Sequence, residues 1–376
     1  MNLLTNPIQL LQPGTVEFGP GTIDKLGPWA KAKGYQRIFV ISGAFNANRV
    51  SKLHLGGEIG LFGSVKPEPD ADNLADAVAA AARFSPELII GFGGGSAMDI
   101  AKLVAVLCNG HQSLSDIVGP DKVTGRRIGL AQIPTTAGTG SEVGTRALVT
   151  DPATQNKWAV QSQFLLADIA IIDPDLTMSI PASITAETGV DALAHCVEAY
   201  TSVKAHPIMD VFALEGIRLI GKYLAAAVQN GNDGEARAGL ALASMYGGIC
   251  LGPVNTAGGH AVAYPLGTRH HISHGAANAV IFPHVLAYNA PYAEHKTAAV
   301  LRALGLDSSP KSENVSRQAY RYCEALGIEM RLLNRNVPES DLENMAREAF
   351  AIKRLIDNNP RPLSHDAILQ IYRAAY

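Results

Sequence analysis

Residues 87–102 read ELIIGFGGGSAMDIAK and combine a short apolar run, three consecutive glycines and a helical pattern. Glycines without Cβ atoms let the backbone approach a phosphate closely, and a following helix directs free N–H groups and its positive end at that phosphate. The spacing of Gly91, Gly93 and Ser96 nearly meets the G-x-G-x-x-G pattern. The stretch therefore favours a dinucleotide-binding turn, although glycine-rich strand-to-helix turns also occur without a ligand.

Short apolar runs on both sides of this turn are too brief and too continuously apolar for surface helices, and they predict buried parallel strands. Residues 71–84 are rich in helix-forming residues and lack glycine and proline, which predicts a crossover helix between two of these strands. Together these elements predict an α/β domain. The predicted strands are residues 37–42, 88–91, 128–133 and 169–173.

The texture of the sequence changes after residue 175, where long stretches rich in Ala, Leu and Glu are separated by Pro, Gly or Asn. These stretches contain no further run that predicts a strand, and Pro181 stands where the first helix of the second part would begin. We therefore predict an α/β domain over residues 1–180 and an all-helical domain over residues 181–376.

The composition predicts a folded protein with a small-molecule partner. The 376 residues include 31 basic and 34 acidic side chains, and 47% of the residues are hydrophobic against 17% charged. This length predicts two domains, and the balance argues against disorder and gives no basic surface for nucleic acid or membrane lipid. The N-terminus lacks the basic flank and apolar core of a signal peptide, and no apolar run reaches membrane-spanning length, so we expect a cytoplasmic protein.

The four cysteines lie far apart in the sequence, without a C-x-x-C pair. This spacing predicts neither a disulfide framework nor a thiolate zinc site. We expect them to be buried thiols that pack as small hydrophobic residues. They are Cys108, Cys196, Cys250 and Cys323.

A second loop with ligand-binding character follows the predicted strand at residues 128–133. Residues 134–142 read PTTAGTGSE and combine hydroxyl groups with flexible backbone at the carboxyl end of a strand, where open α/β sheets bind ligands. An ordinary loop rich in serine and threonine would look the same, so the pattern alone leaves both interpretations open.

A carboxylate and several imidazoles in the second half of the chain form a candidate metal site. Asp191 and His195 are four residues apart in a helical stretch and so point from one helix face. Four of the eleven histidines fall within residues 260–274, and one carboxylate with three imidazoles suits a divalent first-row metal such as Fe²⁺ or Zn²⁺. The spacing alone leaves a helix salt bridge as an equal alternative.

Taken together, these stretches resemble the iron-dependent, or group III, alcohol dehydrogenase family, which includes maleylacetate reductases. The resemblance covers nearly the whole chain and implies a dehydroquinate synthase-like architecture: an α/β dinucleotide-binding domain, a helical metal-binding domain and the active site in the cleft between them. The motifs that carry it are Gly93–Ser96 with Asp99 and Lys102, residues 134–142, residues 189–195, residues 260–289 and residues 359–362.

The resemblance also implies which residues form the site. Lys157 matches a cofactor position and is equally consistent with a solvated surface lysine, while Pro67 and Glu68 match a loop at the edge of the cleft. The metal, Fe²⁺ or alternatively Zn²⁺, would be held by Asp191, His195, His260 and His274. The cofactor, NAD or NADP, would contact Gly93, Gly94, Gly95, Ser96, Asp99, Thr135, Thr136, Thr139, Lys157 and Leu176.

Two positions depart from the family pattern. Many NAD-preferring members end the first dinucleotide strand with an aspartate that repels a 2′-phosphate, whereas this chain has Ser42 and Gly43 there, so we expect NADP to be accepted as well as NAD. Tyr264 replaces a histidine that faces the nicotinamide in many relatives. Because tyrosine is a poorer proton shuttle near neutrality, we expect Tyr264 to orient the substrate, with His270 or His271 available for proton traffic.

The resemblance implies a metal-dependent oxidoreductase that transfers hydride between NAD(P)(H) and an alcohol, aldehyde or ketone, and family habit implies a homo-oligomer. A maleylacetate reductase-like enzyme for an anionic oxoacid is an alternative, with Arg146 and Arg269 as candidate carboxylate partners, although surface arginines near loops are commonplace. A metal- and NAD-dependent lyase of the dehydroquinate synthase kind and a catalytically silent binder also stay open, because the sequence does not identify the substrate.

Overall fold

A computed structural model of the chain describes residues 5–108, 110–153 and 157–376. The chain forms two units, and the main change from one to the other falls between Met178 and Ser179. The first unit contains Leu10–Thr136 and Gly140–Met178. The second contains Ser179–Tyr376, the tripeptide Ala137–Thr139 and residues 5–9.

Two sheets form the framework of the first unit. Its strands are β1 (Val16–Phe18), β2 (Arg37–Ser42), β3 (Glu58–Phe62), β4 (Leu88–Gly93), β5 (Gly119–Pro120), β6 (Gly129–Pro134), β7 (Arg146–Thr150), β8 (Lys157–Gln161) and β9 (Ile169–Ile172). The larger sheet is parallel throughout and has the order β1-β9-β6-β4-β2-β3. In the smaller sheet β7 runs antiparallel to β8, and β5 lies parallel on the other side of β8.

Apolar side chains cover both faces of the larger sheet. Along β2, Phe39 and Ile41 enter one buried cluster, while Ile38 and Val40 enter the cluster on the opposite face. Strands that are buried on both faces read as continuous apolar runs, which is why the central strands stand out in the sequence. The helices of this unit are α1 (Leu26–Ala32), α2 (Ala44–Ala47), α3 (Ala71–Phe84), α4 (Gly95–Leu107) and α5 (Leu114–Ile117).

The four predicted strands and the predicted crossover helix are confirmed. The strands β2, β4, β6 and β9 match within two residues, and α3 has the predicted bounds, with the Asp70 carboxylate accepting a hydrogen bond from the Asn73 N–H at 2.7 Å. The prediction missed the edge strands β1 and β3 and the β7–β8 hairpin. Edge strands expose apolar residues such as Phe18 and Leu61 among polar ones, so they lack the continuous apolar run of a central strand.

Helices make up all the long regular elements in the described part of the second unit. The first of them, α6, begins at Ala182 directly after Pro181, as predicted. A large buried core joins α6, α7, α8, α10 and α12. In chain order the helices are α6 (Ala182–Thr201), α7 (Pro207–Gln229), α8 (Gly234–Leu251), α9 (Gly258–His270), α10 (His274–Asn289), α11 (Glu294–Ala303), α12 (Ser312–Ala325), α13 (Leu342–Ala351), α14 (Lys353–Ile356) and α15 (His365–Ala375).

All four cysteines are buried and free, as the sequence predicted. Burial raises the pKa of the Cys250 and Cys323 thiols to about 12, and it also raises the pKa of Cys108 and Cys196. Across the described residues, we find no helix with both the length and the apolar character needed to cross a membrane.

Candidate metal centre and nucleotide-binding turn

The four predicted metal ligands come together inside the helical unit. Asp191 and His195 project from one face of α6, His260 lies in the first turn of α9, and His274 is the first residue of α10. Each offers one ligand atom, and these atoms all lie within 4.8 Å of one another. Three of the residues are buried, and His274 is the only one of the four that is partly exposed to solvent.

The charges in this cluster are strongly coupled. The Oδ1 atom of Asp191 lies 3.6 Å from Nε2 of His260 and 3.5 Å from Nε2 of His274. Burial opposes ionisation of Asp191, but the surrounding imidazoles outweigh it and hold the pKa of that carboxyl well below its usual range. Burial lowers the pKa of His195 to about 4, which leaves its imidazole neutral and able to act as a ligand.

The donor set fits a divalent first-row metal. The Nε2 atom of His260 is buried and makes no hydrogen bond with any described residue, although Asp191 stands nearby. The rings of His195 and His260 are stacked face to face, with centroids 4.6 Å apart, and no hydrogen bond joins them. Buried polar atoms are normally paired, and imidazole nitrogens beside a carboxylate are the ligands that Fe²⁺ and Zn²⁺ accept.

Two polar side chains outside the predicted set hold these ligands. Asn278 Nδ2 donates a hydrogen bond to Asp191 Oδ1 at 2.8 Å and lies 3.1 Å from His274 Nε2. Glu198 Oε2 lies 3.1 Å from His260 Nδ1. The sequence analysis missed both residues, yet spacing could have indicated them: Glu198 is three residues after His195, and Asn278 is four residues after His274, on the same helix faces.

Of the three predicted catalytic residues, the structure brings only Tyr264 to the cluster. Its ring centroid lies 5.9 Å from that of His274. His270 instead places Nε2 2.8 Å from a carboxylate oxygen of Asp341. His271 is exposed at the C-terminal end of α9, where its backbone has a positive φ. The part that His270 or His271 would play in proton traffic stays a prediction.

The two arginines considered for an anionic substrate already have protein partners. Arg269 pairs with Asp341 at 2.5 Å and with Glu348 at 2.8 Å. Arg146 Nε donates a hydrogen bond to Gln161 Oε1 at 2.9 Å. Neither guanidinium therefore depends on a bound carboxylate for its pairing.

The glycine-rich turn in the α/β unit has the predicted strand-to-helix form. Gly93 ends β4, Gly94 is the N-cap of α4 without a side-chain cap, and Gly95 and Ser96 begin the helix. A Cβ atom added at Gly94 would stand 3.4 Å from Oγ1 of Thr136, so the second loop lies in van der Waals range of the turn. This arrangement fits a phosphate, because the uncapped N-terminus of a helix attracts an anion.

The second loop starts beside this turn. The Thr135 N–H donates a hydrogen bond to the Gly93 carbonyl at 2.9 Å, and Thr135 Oγ1 accepts one from Asn46 Nδ2 at 3.0 Å. Thr139 belongs to the tripeptide that groups with the helical unit. There, the neighbouring Gly138 carbonyl lies 3.3 Å from His195 Nδ1. The loop therefore has residues in both units.

Asp99, a predicted cofactor residue, directs its carboxylate at the protein. Its Oδ1 accepts a hydrogen bond from Ser141 Oγ at 2.6 Å, and its Oδ2 accepts one from the Leu148 N–H at 2.9 Å. Lys102 Nζ donates to the same Ser141 Oγ and to the Arg146 carbonyl, both at 2.8 Å. Through these bonds, α4 holds the segment from Ser141 to Leu148 in place.

The remaining predicted cofactor residues lie in the same α/β unit. Lys157 is not a solvated lysine: its side chain is 9% exposed, pairs with Glu68 and donates a hydrogen bond to Thr150 Oγ1 at 2.8 Å. Leu176 is buried in one of the two sheet clusters. Ser42 is the last residue of β2, and its hydroxyl donates to the Gly43 carbonyl, so no carboxylate ends that strand.

The fold is that of the two-domain alcohol dehydrogenases. The chain is similar to a solved structure of 1,3-propanediol oxidoreductase, with a TM-score of 0.93 and 32% sequence identity over 99% of this chain and 100% of that one. Family models for iron-containing alcohol dehydrogenase and for the C-terminal part of the Fe-containing alcohol dehydrogenase family match residues 13–174 and 185–376. The chain belongs to the iron-containing alcohol dehydrogenase family.

Characterised relatives within this family differ in the substrates that their names give. Long-chain-alcohol dehydrogenase 1 of Geobacillus thermodenitrificans is 38% identical over 98% of this chain and 96% of its own length. Sulfoacetaldehyde reductase of Bilophila wadsworthia is 34% identical over 86% of each chain. The family implies a metal and NAD(H) for this enzyme, while its relatives span neutral alcohols and an anionic aldehyde.

Proposed function

We propose that this protein is an NAD(P)-dependent alcohol dehydrogenase or aldehyde reductase whose substrate oxygen is bound at a divalent metal. The observation that carries the proposal is the cluster of Asp191, His195, His260 and His274, with ligand atoms all within 4.8 Å of one another and an unpaired, buried nitrogen on His260. Membership of an alcohol dehydrogenase family supports the same chemistry.

The residues that would hold the two groups are those named by the sequence. The four cluster residues would hold the metal. The dinucleotide would be held by Gly93, Gly94, Gly95, Ser96, Asp99, Thr135, Thr136, Thr139, Lys157 and Leu176. When bound, the metal would polarise the oxygen of an alcohol or carbonyl, and the nicotinamide would exchange hydride with its carbon. In this proposal, residues 1–180 form the dinucleotide-binding domain and residues 181–376 form the metal-binding domain.

The protein's own side chains supply orientation and charge. Asp191 would bring one negative charge to the three imidazoles, and Asn278 would fix its Oδ1 atom by the hydrogen bond at 2.8 Å. Tyr264, beside His274, offers a phenol that would donate a hydrogen bond to the substrate and orient it. The uncapped N-terminus of α4 would neutralise part of the charge of the pyrophosphate.

We infer that both NAD and NADP are used. In support, Ser42 ends β2 without a carboxylate, and Arg49 follows in the next turn of chain, with Nη1 donating to Asn46 Oδ1 at 3.0 Å. A nearby arginine can accept a 2′-phosphate that an aspartate would repel. Rates with NADH and NADPH test this inference, and a strict preference for NADH would contradict it.

We also propose Fe²⁺ as the native metal, with Zn²⁺ as the alternative, and a cytoplasmic homo-oligomer as the working form. The family name supports iron, and family habit supports the oligomer. Metal analysis of protein purified without added metal tests the first proposal. Light scattering after size-exclusion chromatography tests the second, and a monomer at working concentrations would contradict it.

The deciding experiment for the activity measures NADH and NADPH consumption with a panel of neutral aldehydes and anionic oxoacids. The protein is stripped of metal and then reloaded with Fe²⁺ or Zn²⁺. We expect cofactor oxidation that depends on metal and ranks neutral aldehydes first. A higher rate with anionic substrates would favour the kind of substrate that the sulfoacetaldehyde reductase takes. Turnover without net change in the cofactor would favour a lyase instead.

A further inference from the structure

Glu198 contacts both the backbone at the start of α9 and the ring of His260. Its Oε2 atom accepts a hydrogen bond from the Ala257 N–H, and its Oε1 atom accepts one from the His260 N–H at 3.0 Å. Ala257 is the N-cap of α9 and has no side chain able to cap the helix, so a carboxylate from α6 caps it instead. The same carboxylate oxygen that caps the helix lies 3.1 Å from Nδ1 of the His260 ring.

The carboxylate of Glu198 packs tightly against the start of α9. The side chain is 10% exposed, and a Cβ atom added at Gly259 would stand 2.2 Å from Oε1, so only glycine leaves room for the carboxylate beside α9. Three protein groups thus converge on one buried charge: two backbone N–H groups and the imidazole of His260. A buried carboxylate needs such partners to stay ionised.

The position of this charge decides which nitrogen of His260 carries the hydrogen. A carboxylate 3.1 Å from Nδ1 favours a hydrogen on that nitrogen, which leaves the lone pair of a neutral imidazole on Nε2. Neither ring nitrogen of His260 meets the geometry of a hydrogen bond with a described residue, but Nδ1 lies 3.1 Å from Glu198, whereas Nε2 lies 3.6 Å from Asp191, beside the other metal ligands. Paired carboxylate–imidazole contacts of this kind orient metal ligands and raise their basicity.

We propose that Glu198 is a positioning residue for the metal centre: its carboxylate holds the His260 ring in the orientation and tautomer that present Nε2 to the metal. The proposal rests on the proposed metal-binding function. It gives Glu198 a role beyond capping α9, and the two roles make different predictions. A residue that only caps the helix would affect stability and leave the metal affinity unchanged.

The test measures metal affinity, which does not require turnover. Zn²⁺ dissociation constants are determined by chelator competition for the wild type, Glu198→Gln, His260→Ala and the control Thr201→Val, a buried residue one turn further along α6. We expect Glu198→Gln to bind Zn²⁺ about 10- to 100-fold more weakly. We expect Thr201→Val to bind as the wild type does. The absorption spectrum of bound Co²⁺ should also change in Glu198→Gln, because the ligand field depends on the orientation of the imidazole.

The outcomes separate this proposal from the function on which it rests. Wild-type affinity and an unchanged Co²⁺ spectrum in Glu198→Gln, with affinity lost in His260→Ala, would overturn the positioning role and leave the metal site intact. Wild-type affinity in His260→Ala would overturn the metal site itself. If Glu198→Gln does not fold, Glu198→Asp replaces it: the charge is kept but withdrawn by one methylene, and the same loss of affinity is expected.

Discussion

Each unit of this protein contains a buried cluster of charged and polar side chains, and the two clusters are built differently. In the α/β unit, both carboxylate oxygens of Asp99 accept hydrogen bonds, and Lys102 donates to Ser141 Oγ and to a backbone carbonyl, so that the one buried oxygen without a hydrogen bond among the described residues of this cluster is Oε2 of Glu142. In the helical unit, the cluster around Asp191 leaves Nε2 of His260 without a hydrogen bond among the described residues.

The difference indicates which cluster serves the fold and which serves a ligand. Burying charged groups is costly, and a network that pairs them within the protein offsets this cost without any further component. A cluster that buries imidazole nitrogens without hydrogen bonds carries an uncompensated desolvation free energy. A ligand that accepts their lone pairs offsets it. The first cluster therefore anchors a loop on α4, while the second fits a metal. Four predictions test this comparison.

The largest effect is expected from removing a ligand of the second cluster. His260→Ala should lose bound metal and lower kcat/KM by at least about a thousandfold, because a metal acting on the substrate oxygen supplies several kcal/mol of transition-state stabilisation. Metal analysis and NADH consumption measure the two losses. His284→Ala is the matched control: His284 also has a buried Nε2 without a hydrogen bond, but it lies outside the cluster. Equal metal loss in both variants would contradict the assignment.

The next effect concerns the first cluster and should appear in stability alone. Asp99→Asn removes a buried carboxylate that is linked to the Lys102 ammonium through Ser141 Oγ, and it should lower the free energy of unfolding by about 1.5–3 kcal/mol. Metal content should stay at the wild-type level. In the double variant with Lys102→Met the charge is gone, so part of the stability should return in denaturant unfolding. A double variant less stable than Asp99→Asn would show that charge pairing is not the cause.

A smaller effect should appear in the pH dependence of stability. Burial raises the pKa of Glu142, next to Lys102, from 4.5 to about 7. A raised carboxyl pKa stabilises the folded state fully below about pH 4.5, and this contribution is lost as the pH rises through about 7. Burial lowers the pKa of Lys102 to about 8, which has the opposite sign: its contribution is present above pH 10.5 and lost as the pH falls through about 8.

Glu142→Gln should remove the acidic part of this profile. Between about pH 5 and about pH 7.5, the wild type should lose on the order of 2 kcal/mol of unfolding free energy relative to the variant. Urea unfolding across this range measures the difference. Glu313→Gln, at an exposed position, is the control and should follow the wild type. Parallel profiles for Glu142→Gln and the wild type would show that Glu142 keeps the same proton affinity on folding.

The smallest effect is expected at the surface. Arg269 is 33% exposed and pairs with Asp341 and Glu348, so Arg269→Ala should cost only about 0.2–1 kcal/mol of stability. Because its charge is already paired, KM values for anionic oxoacids should not change. Steady-state kinetics with a neutral aldehyde and an oxoacid check this. A rise in KM for the oxoacid alone would restore Arg269 as a substrate ligand.

The sequence predicted those parts of the molecule that depend on neighbouring residues. The runs that became β2 and β4 are buried on both faces, so their apolar character is continuous, and the glycines after β4 mark the turn directly. Asp191 and His195 share one helix, so their spacing placed them on one face. The resemblance to a family added His260 and His274, which spacing alone did not connect to α6.

Contacts between distant elements explain what the sequence did not predict. The contact of Glu198 with His260 joins residues 62 positions apart, and no periodicity records it. His270 was expected to move protons, but α13 begins next to Asp341, which occupies its Nε2 atom. The hydrogen bonds of Asp99 to Ser141 and Leu148 likewise join residues more than 40 positions apart. Each of these contacts is set by the tertiary structure. The local pattern of residues in the sequence does not determine it.

The reactivity of the buried cysteines measures how far each unit of this enzyme unfolds. Only thiolates react with alkylating reagents, and burial raises the pKa of all four thiols, so the folded protein should be modified very slowly. One thiol, Cys108, reports on the α/β unit, while Cys196, Cys250 and Cys323 report on the helical unit. Mass spectrometry of alkylated peptides during mild denaturation would therefore time the opening of the two units separately, within one unmodified chain.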